Sequence, residues 1–428
     1  MKGISGFLQK NQALGYKEFL SYLSIRFGLI FALSMQFTIV TYHIYHITGQ
    51  SKLALGLVGL AEVIPVVACS FFAGYFVDLN EKRNLLRKII GLYALLGLSL
   101  YLLFNDNIAS FLSHDWRIYG IYILIFLGGI IRSFLGPTSF SLIGLIVPRT
   151  LYPNATSWAS IAWQIGAVLG PLFGGVLIAS TGVDNGILIV FIIEIILLYP
   201  ISRIKQKPVI KAEKKENVIA SIQEGLKFVF NTPALLGALC LDMFSVLFGG
   251  AVALLPAVQL EIFPDNGTLF SGASAFGILR AAPGIGALLT LGLLSFFPLK
   301  NQPGRKLFIC VAGFGICIVG FGLSKYFILS WLFLVGSGMF DAVSVVIRGT
   351  ILQLVTPDDM RGRVSSVNTM FISSSNELGD FESGLMAKFI GTVPAIVLGG
   401  SITLIVVALT YIKTPQLRKF NFDDYTKK

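Results

Sequence analysis

The chain has 428 residues, of which 55% are hydrophobic and only 13% are charged, and its mean hydropathy is +0.79. So few charged residues cannot cover the surface of a soluble protein, which excludes a soluble enzyme and predicts that a lipid bilayer surrounds most of the chain. The net charge of +11 does not indicate a nucleic-acid partner, because the basic residues are collected in alternate loops.

Twelve apolar stretches, each long enough to cross a bilayer core of about 30 Å, follow one another along the chain. Their approximate bounds are 20–46, 53–77, 86–104, 118–147, 155–180, 186–202, 232–256, 269–297, 307–324, 327–355, 364–387 and 393–412. The first stretch is too long for a cleavable signal and contains Arg26, so we expect it to be retained. The sequence therefore predicts an all-α integral membrane protein with twelve transmembrane helices.

The basic residues predict the orientation of these helices. With the N-terminus in the cytoplasm, 25 Lys and Arg residues fall in cytoplasmic loops and tails, and 4 fall in the opposite loops. Such an asymmetry predicts that both termini are cytoplasmic and that the protein lies in the cell inner (cytoplasmic) membrane.

An internal repeat relates the first six stretches to the last six. A shift of 209 positions places Gly129, Pro148, Gly170 and Gly175 on Gly338, Pro357, Gly379 and Gly384. We therefore predict two pseudo-symmetric six-helix bundles, residues 1–204 and 231–413, with a cytoplasmic linker that contains an amphipathic helix (205–230) and a cytoplasmic tail (414–428). Two similar six-helix halves are typical of carriers that rock around a central site.

The fifth stretch contains a glycine-rich segment. Its residues are Gly166, Gly170, Pro171, Gly174 and Gly175. Small residues four apart let two helix backbones approach closely, and a proline removes one helical hydrogen bond and bends the helix. A generic close-packed crossing is the alternative interpretation.

The loop after the second stretch contains Gly74, Asp78, Lys82 and Arg83. We predict a cytoplasmic gate in which the glycine permits close helix contact, and in which the acid and the bases form a latch that opens and closes. A loop whose basic residues only set the orientation is the alternative.

Several charged residues lie inside apolar stretches, where a charge is costly and indicates function or a buried partner. The repeat pairs Arg132 with Asp341, and a second offset of 218 positions pairs Glu62 with Arg280, which predicts a central site of mixed charge. The predicted substrate-binding and proton-coupling residues are Glu62, Arg132, Asp242, Arg280, Asp341, Asn376, Glu377, Asp380 and Glu382. Carboxyl groups buried among apolar side chains hold their protons more tightly than carboxyls in water, which favours proton coupling. Permanent ion pairs that only hold helices together are the alternative.

No cofactor or metal site is predicted. The four cysteines lie in apolar runs without a Cys-x-x-Cys spacing, and the chain has no Gly-x-x-x-x-Gly-Lys-Ser/Thr segment for a nucleotide phosphate. An ion gradient is therefore the predicted source of energy.

Together these motifs resemble the major facilitator superfamily over nearly the whole chain. The glycine-proline segment is similar to the signature of its exporters, and the segment from Gly128 to Pro137 is similar to its intramembrane arginine motif. The loop after the second stretch resembles the cytoplasmic loop signature, although Glu81 replaces an expected glycine. Segments 145–148, 254–256 and 356–364 resemble the bacterial branch that contains the enterobactin exporter, macrolide efflux carriers and lysophospholipid carriers.

The resemblance implies secondary active export in exchange for protons. We predict a monomeric proton-coupled antiporter, not an enzyme, whose partner is a small amphipathic organic compound that is either drug-like or a siderophore. A lysophospholipid flippase and a non-transporting membrane scaffold or sensor are the alternatives.

Overall fold

The structure is a computed structural model that describes residues 12–208, 218–265, 267–268, 270–296, 302–357 and 360–421. Within these ranges it consists of helices joined by short turns. The helices before the linker are α1 (Lys17–Ile47), α2 (Lys52–Leu79), α3 (Lys82–Phe104), α4 (His114–Ile146), α5 (Tyr152–Ile196) and α6 (Leu198–Ser202). The later helices are α7 (Val218–Phe230), α8 (Pro233–Phe248), α9 (Leu255–Ile262), α10 (Gly272–Phe296), α11 (Pro303–Leu323), α12 (Phe327–Val355), α13 (Arg361–Ile390), α14 (Thr392–Lys413) and α15 (Pro415–Arg418).

Ten helical stretches in the described part of the chain are long and apolar enough to cross a membrane. One of them, Asn154–Ser202, has 49 residues, whereas one crossing needs only about 20. Gly182 interrupts it with a φ of 86° and a ψ of 171°, a conformation that glycine adopts at much lower cost than other residues. This stretch therefore supplies two crossings, which agree with the predicted stretches 155–180 and 186–202.

The polar helix α13 is also long enough to cross, with 30 residues, but it is not among the ten apolar stretches. It carries three acidic residues, Glu377, Asp380 and Glu382. With α13 and the two crossings around Gly182, the described helices are consistent with the predicted twelve. The predicted all-helical membrane fold is confirmed.

The seventh predicted stretch is a discontinuous helix. The helix α8 ends at Phe248, Gly249 is its C-cap, and a short 3-10 turn precedes α9. A Cβ on Gly250 would lie 2.9 Å from the carbonyl oxygen of Gly379, so the backbone of α13 approaches the break closely. Apart from Asp242, the residues on both sides of Gly249 and Gly250 are predominantly apolar across 232–256, and for that reason the sequence predicted a single crossing there.

The helices group into two compact units. The first comprises Met1–His43 and Ile64–Lys214. Its core is a cluster of buried aliphatic and aromatic side chains from α1, α3, α4 and α6, among them Ile25, Leu86, Leu142 and Ile201.

The second unit comprises Ile44–Val63 and Lys215–Lys428, so it includes a segment from early in the chain. Tyr45, Leu55 and Ala257 form a buried cluster that joins this segment to α9. The main core of the unit contains Leu235, Phe308 and Ile347 from α8, α11 and α12. The bundle boundaries predicted at residues 204 and 231 stay predictions.

The amphipathic segment predicted at 217–230 is the helix α7, Val218–Phe230. Val229 is fully buried in the main core of the second unit, and Leu226 packs against that core. The stretch 209–217 of the predicted linker lies outside the described residues.

Candidate functional site

The glycine-rich segment of α5 packs directly against α1. A Cβ on Gly166 would lie 2.8 Å from the carbonyl oxygen of Phe27, and one on Gly170 would lie 2.6 Å from the Cβ of Ser34. Gly174 continues this contact one turn later, 3.2 Å from the Cβ of Thr38. These distances leave no room for a side chain, so glycine at this spacing is what permits the two helices to touch.

Pro171 and Gly175, the other members of this segment, are both buried. Gly182 is the residue of α5 with non-helical dihedral angles, whereas Pro171 lies inside the helix without such a departure. The dihedral angles are therefore non-helical at Gly182 and helical at Pro171, and the bend predicted at Pro171 stays a prediction.

The loop between α2 and α3 is stabilised by contacts to backbone carbonyl groups. Buried Lys82 donates from Nζ to the carbonyl oxygens of Val77 and Asn80, at 2.6 and 2.9 Å, and so binds the C-terminal end of α2. Arg83 donates to the carbonyl oxygens of Ile201 and Ser202, each at 3.3 Å. Cations at helix C-termini are favoured by the helix dipole and by the free carbonyl groups.

The other two predicted gate residues are Gly74 and Asp78. A Cβ on Gly74 would meet nothing within 4 Å, so the expected close helix contact is not present at that position. The side chain of Asp78 lies outside the described part of the structure. The predicted latch therefore stays a prediction.

Glu81, the residue that departs from the loop pattern, has a structural role that the sequence did not reveal. Its carboxylate is the N-cap of α3 and accepts hydrogen bonds from the backbone N–H groups of Arg83 and Asn84, at 3.1 and 2.7 Å. It also accepts from the N–H of Lys207, at 3.0 Å. The Lys207 side chain in turn forms an ion pair with Glu18. Glu81 and Glu18 thus hold the start of the linker against the first unit.

In the second unit, Asp242 of α8 forms a buried ion pair with Arg348 of α12. Asp341 lies seven residues before Arg348, on the same face of α12, and interacts electrostatically with both partners. Asp242 and Asp341 line one small cavity together with Ser245, Cys310, Phe314 and Phe340. We call Asp242, Asp341 and Arg348 the Arg348 cluster.

A second group of charges lies in the same unit. Arg280 of α10 is close enough to Asp380 of α13 and to Glu62 of α2 to interact electrostatically with both. A Cβ on Gly59 would lie 2.9 Å from the Cβ of Asp380, which shows how closely α2 and α13 approach there. We call Glu62, Arg280 and Asp380 the Arg280 cluster.

The remaining predicted residues of α13 differ in their burial. Glu377 is buried, Glu382 is half-buried and Asn376 is exposed. The carbonyl oxygen of Glu377 would lie 2.9 Å from a Cβ on Gly59, at the contact between α2 and α13. Arg132, by contrast, lies on α4 in the first unit with an exposed side chain, and its place in a central site stays a prediction.

Three ionisable residues that the sequence did not assign to the site stand out. Arg348 was visible as an arginine inside an apolar stretch, and its seven-residue spacing from Asp341 was an available signal. Arg26 lines a small cavity in the first unit with Tyr22 and Ser139. Glu194 is fully buried in α5.

Each cluster of the second unit contains two carboxyl groups and one guanidinium group. With both acids ionised a cluster carries a net charge of −1, and one added proton makes it neutral. Because an uncompensated charge inside a membrane protein is costly, an arrangement of two acids and one arginine is chemically suited to bind a proton.

A helical membrane fold with two such clusters inside its helices defines a multi-pass membrane transporter. The sequence profile of the Major Facilitator Superfamily matches residues 22–379. The chain belongs to the Major Facilitator Superfamily.

The comparisons with individual proteins agree with that assignment. The chain is 26% identical to the enterobactin exporter EntS of Escherichia coli O127:H6 over 418 residues, which cover 96% of this chain and 92% of the exporter. It is 25% identical to the enterobactin exporter EntS of Citrobacter koseri, with the same coverage of both chains.

Solved structures share the fold at much lower sequence identity. The nucleoside transporter NupG, solved as a point mutant, has a TM-score of 0.74 at 11% identity, covering 92% of this chain and 99% of NupG. A D-xylose-proton symporter has a TM-score of 0.71 at 14% identity, covering 95% of this chain and all of the symporter. These likenesses show the fold alone.

Proposed function

We propose that the protein is a proton-coupled secondary active exporter of a small amphipathic organic compound, with both termini in the cytoplasm of a cell whose inner membrane it spans. In this proposal the two halves alternate between access to the cytoplasm and access to the outside. The observation that carries the proposal is the Arg348 cluster, because it places two acids and one arginine inside the membrane-spanning part of the second unit.

Proton binding at this cluster would change a contact between two helices. Arg348 pairs with Asp242, which lies on α8, and Asp341 on α12 offers the same guanidinium a second acceptor. A proton on Asp242 weakens its attraction to Arg348, and Arg348 then favours Asp341 on its own helix. Loss of the proton restores the link between α8 and α12, so proton occupancy is coupled to the packing of these two helices.

The cavity beside the cluster has room for about one water molecule, so it suits a proton path and not the cargo itself. Phe314 and Phe340 provide its apolar surface, while Ser245 and the two aspartates provide hydrogen-bonding groups.

A siderophore is the cargo that we favour, because the relatives at 25–26% identity are named enterobactin exporters. Arg26 supports an anionic cargo, since its Nε is buried and has no hydrogen-bond partner among the described residues. Leu29, Leu86 and Leu135 surround it in the small cavity of the first unit. A guanidinium group in an apolar wall is suited to a carboxylate or phenolate that is attached to an apolar body.

Transport into inside-out proteoliposomes tests the proposal. Purified protein is reconstituted with a pH-sensitive dye in the lumen, and enterobactin is added with and without an imposed proton gradient. We expect enterobactin uptake to release lumenal protons and an uncoupler to abolish uptake against a gradient. Uptake that survives uncouplers and requires ATP would refute proton coupling.

Variants then test the cluster itself. Asp341→Asn should lower gradient-driven uptake strongly at unchanged protein level, while Asp106→Asn, a change at an acid that is 89% exposed, should leave uptake at the wild-type rate. Movement of a lysophospholipid, with no movement of enterobactin, would favour the flippase alternative. Equal uptake by Asp341→Asn and wild type would remove this cluster from the coupling mechanism.

A further inference from the structure

The first unit contains a carboxyl group that the proposed function does not use. Glu194 lies in α5, 12 residues after the interruption at Gly182 and 8 residues before the end of α6 at Ser202. At a rise of about 1.5 Å per residue it is more than 10 Å from either end of this crossing. Its relative exposure is 0%, and neither carboxyl oxygen has a hydrogen-bond partner among the described residues.

The neighbouring helix provides space for this carboxyl group. A Cβ on Gly97 of α3 would lie 2.8 Å from Oε2 of Glu194, so an alanine there would collide with the acid. Ile187, Val190, Leu197 and Ile201 extend the same face of the crossing, and all four are buried. Glu194 therefore projects into an apolar contact between α3 and α5 that fits its side chain.

Within the described part of the chain, no nearby cation neutralises this acid. The titratable groups on the helices around it include Tyr93 and Tyr101 on α3, Arg26 and His43 on α1, Tyr122 and Arg132 on α4, and Tyr199 and Arg203 towards the end of its own crossing, while Lys82, Arg83, Arg87 and Lys88 lie in the first two turns of α3. None of these groups hydrogen-bonds to Glu194. Tyr93 donates instead to the carbonyl oxygen of Gly128, and His43 packs against Phe104.

A carboxylate with neither a hydrogen bond nor a counter-charge is very costly in an apolar interior, whereas a neutral carboxylic acid costs far less. We propose that Glu194 is a proton-binding site of the first unit, which holds a proton while α3 and α5 are packed together and releases it when that contact opens to water. Its part in transport rests on the proposed proton coupling, but the presence of the bound proton does not.

Opening the contact gives the proton a path to leave. Water between α3 and α5 would hydrate the carboxylate and carry the proton away, and closing the contact would require Glu194 to be protonated again. The packing of these two helices is thereby linked to proton occupancy, at a site without the arginine that both clusters of the second unit contain.

Infrared spectroscopy of the reconstituted full-length protein tests the bound proton directly. A protonated carboxyl group has a carbonyl stretch distinct from those of a carboxylate and of an amide, so the wild-type spectrum minus that of Glu194→Gln isolates this group. We expect a protonated-carboxyl band near neutral pH that Glu194→Gln lacks and Asp106→Asn retains. A difference spectrum that shows a carboxylate band in its place would overturn the proposal.

Hydrogen exchange in D₂O tests whether the contact controls proton release. Gly97→Ala inserts a methyl group at the carboxyl oxygen and should loosen the contact, so we expect the Glu194 band to shift at least several-fold faster in this variant. Gly91→Ala on the same helix, where a Cβ meets nothing within 4 Å, is the matched control and should exchange at the wild-type rate. Equal rates in all three proteins would contradict control by packing.

The transport role is tested separately, with enterobactin as the probe. Glu194→Gln cannot release a proton, so we expect it to keep exchange of enterobactin without a gradient and to lose most of the stimulation by a proton gradient. Stimulation equal to wild type would overturn a role for Glu194 in coupling. If the wild-type protein itself shows no stimulation, the proposed function fails, while the infrared band still decides whether Glu194 binds a proton.

Discussion

Helix α5 of the first unit and helix α13 of the second unit occupy matching places in the internal repeat. Both have a glycine at a close helix contact, but the residue that follows this glycine differs. In α5, Gly170 packs against α1, the first helix of its half. In α13, the matching Gly379 packs against α8, where a Cβ on Gly379 would lie 2.9 Å from the carbonyl oxygen of Leu247. The next residue is Pro171 in one helix and Asp380, a member of the Arg280 cluster, in the other.

The difference shows that close helix packing and the placement of a charged residue depend on two different positions of the same helical segment. Glycine is kept where two backbones touch, because any side chain would push them apart. The position beside it holds an apolar residue in one half and an acid of the Arg280 cluster in the other. One position of the turn thus determines how closely two helices pack, and the next position determines whether the segment carries a charge.

The largest expected effect is the loss of Arg348, which lies on α12 in the same unit as α13. Arg348→Ala would leave Asp242 buried without its partner, which costs about 3–5 kcal/mol of stability for a buried pair. The double variant Arg348→Ala with Asp242→Asn should recover part of that loss, because it removes one of the two acids left without the arginine and restores the net charge of −1. Thermal unfolding of the purified variants in detergent measures both effects, and a double variant no more stable than Arg348→Ala would contradict this account.

The next largest effect is expected at the matching glycines of α5 and α13. Gly170→Ala and Gly379→Ala should each lower stability by roughly 1–3 kcal/mol, because the added methyl group meets a neighbouring backbone or side chain. Gly136→Ala, at a glycine with nothing within 4 Å of its Cβ position, is the control and should be neutral. Melting temperatures in a common detergent provide the comparison, and equal values for all three variants would refute it.

The position beside the glycine should separate stability from transport. Asp380→Asn is expected to reduce gradient-driven uptake with a stability change below about 1 kcal/mol, because it keeps the shape of the side chain. Pro171→Ala should leave uptake nearly unchanged, since Pro171 already lies inside a helix of regular geometry. Uptake rates normalised to reconstituted protein test this expectation. A larger loss of uptake in Pro171→Ala than in Asp380→Asn would contradict it.

The smallest expected effect is at the ion pair between Lys52 and Glu261, whose charged atoms are 2.7 Å apart. Glu261 is 38% exposed and also accepts a hydrogen bond from Thr392. Removing the charge with Lys52→Gln should therefore cost no more than about 1 kcal/mol, and less in high salt. Unfolding at low and high ionic strength measures the difference, and a loss above that range that does not respond to salt would contradict a surface interaction.

These predictions also show where sequence reasoning succeeded. The spacing of Gly166, Gly170 and Gly174 predicted a close helix crossing, and the structure confirms it. Such a prediction is possible because only glycine allows two helix backbones to approach this closely. The charged residues inside apolar stretches identified members of both clusters. Their grouping around Arg280 and Arg348 required the three-dimensional contacts, since hydropathy does not reveal which helices are neighbours.

Other features had no adequate signal in the sequence. The break at Gly249 and Gly250 coincides with a Gly-Gly pair, but the apolar residues on both sides favour one crossing, so the pair alone did not separate a broken helix from a continuous one. The N-cap at Glu81 depends on the N–H groups of the next turn and of the linker, which a loop motif does not show. Glu194 is a single acid in an apolar stretch, and the sequence does not show that Gly97 on another helix makes room for its carboxyl group.

The segment Ile44–Val63 also has a consequence for how the protein is made. It belongs to the second unit, and the Cα of Gly56 lies 2.7 Å from where a Cβ on Gly384 would be, although Gly384 follows much later in the chain. During translation this stretch enters the membrane well before its packing surface has been synthesised. Gly56 and Gly59 of α2 can contact α13 only after α13 has been synthesised, so this part of the second unit completes its packing late in translation.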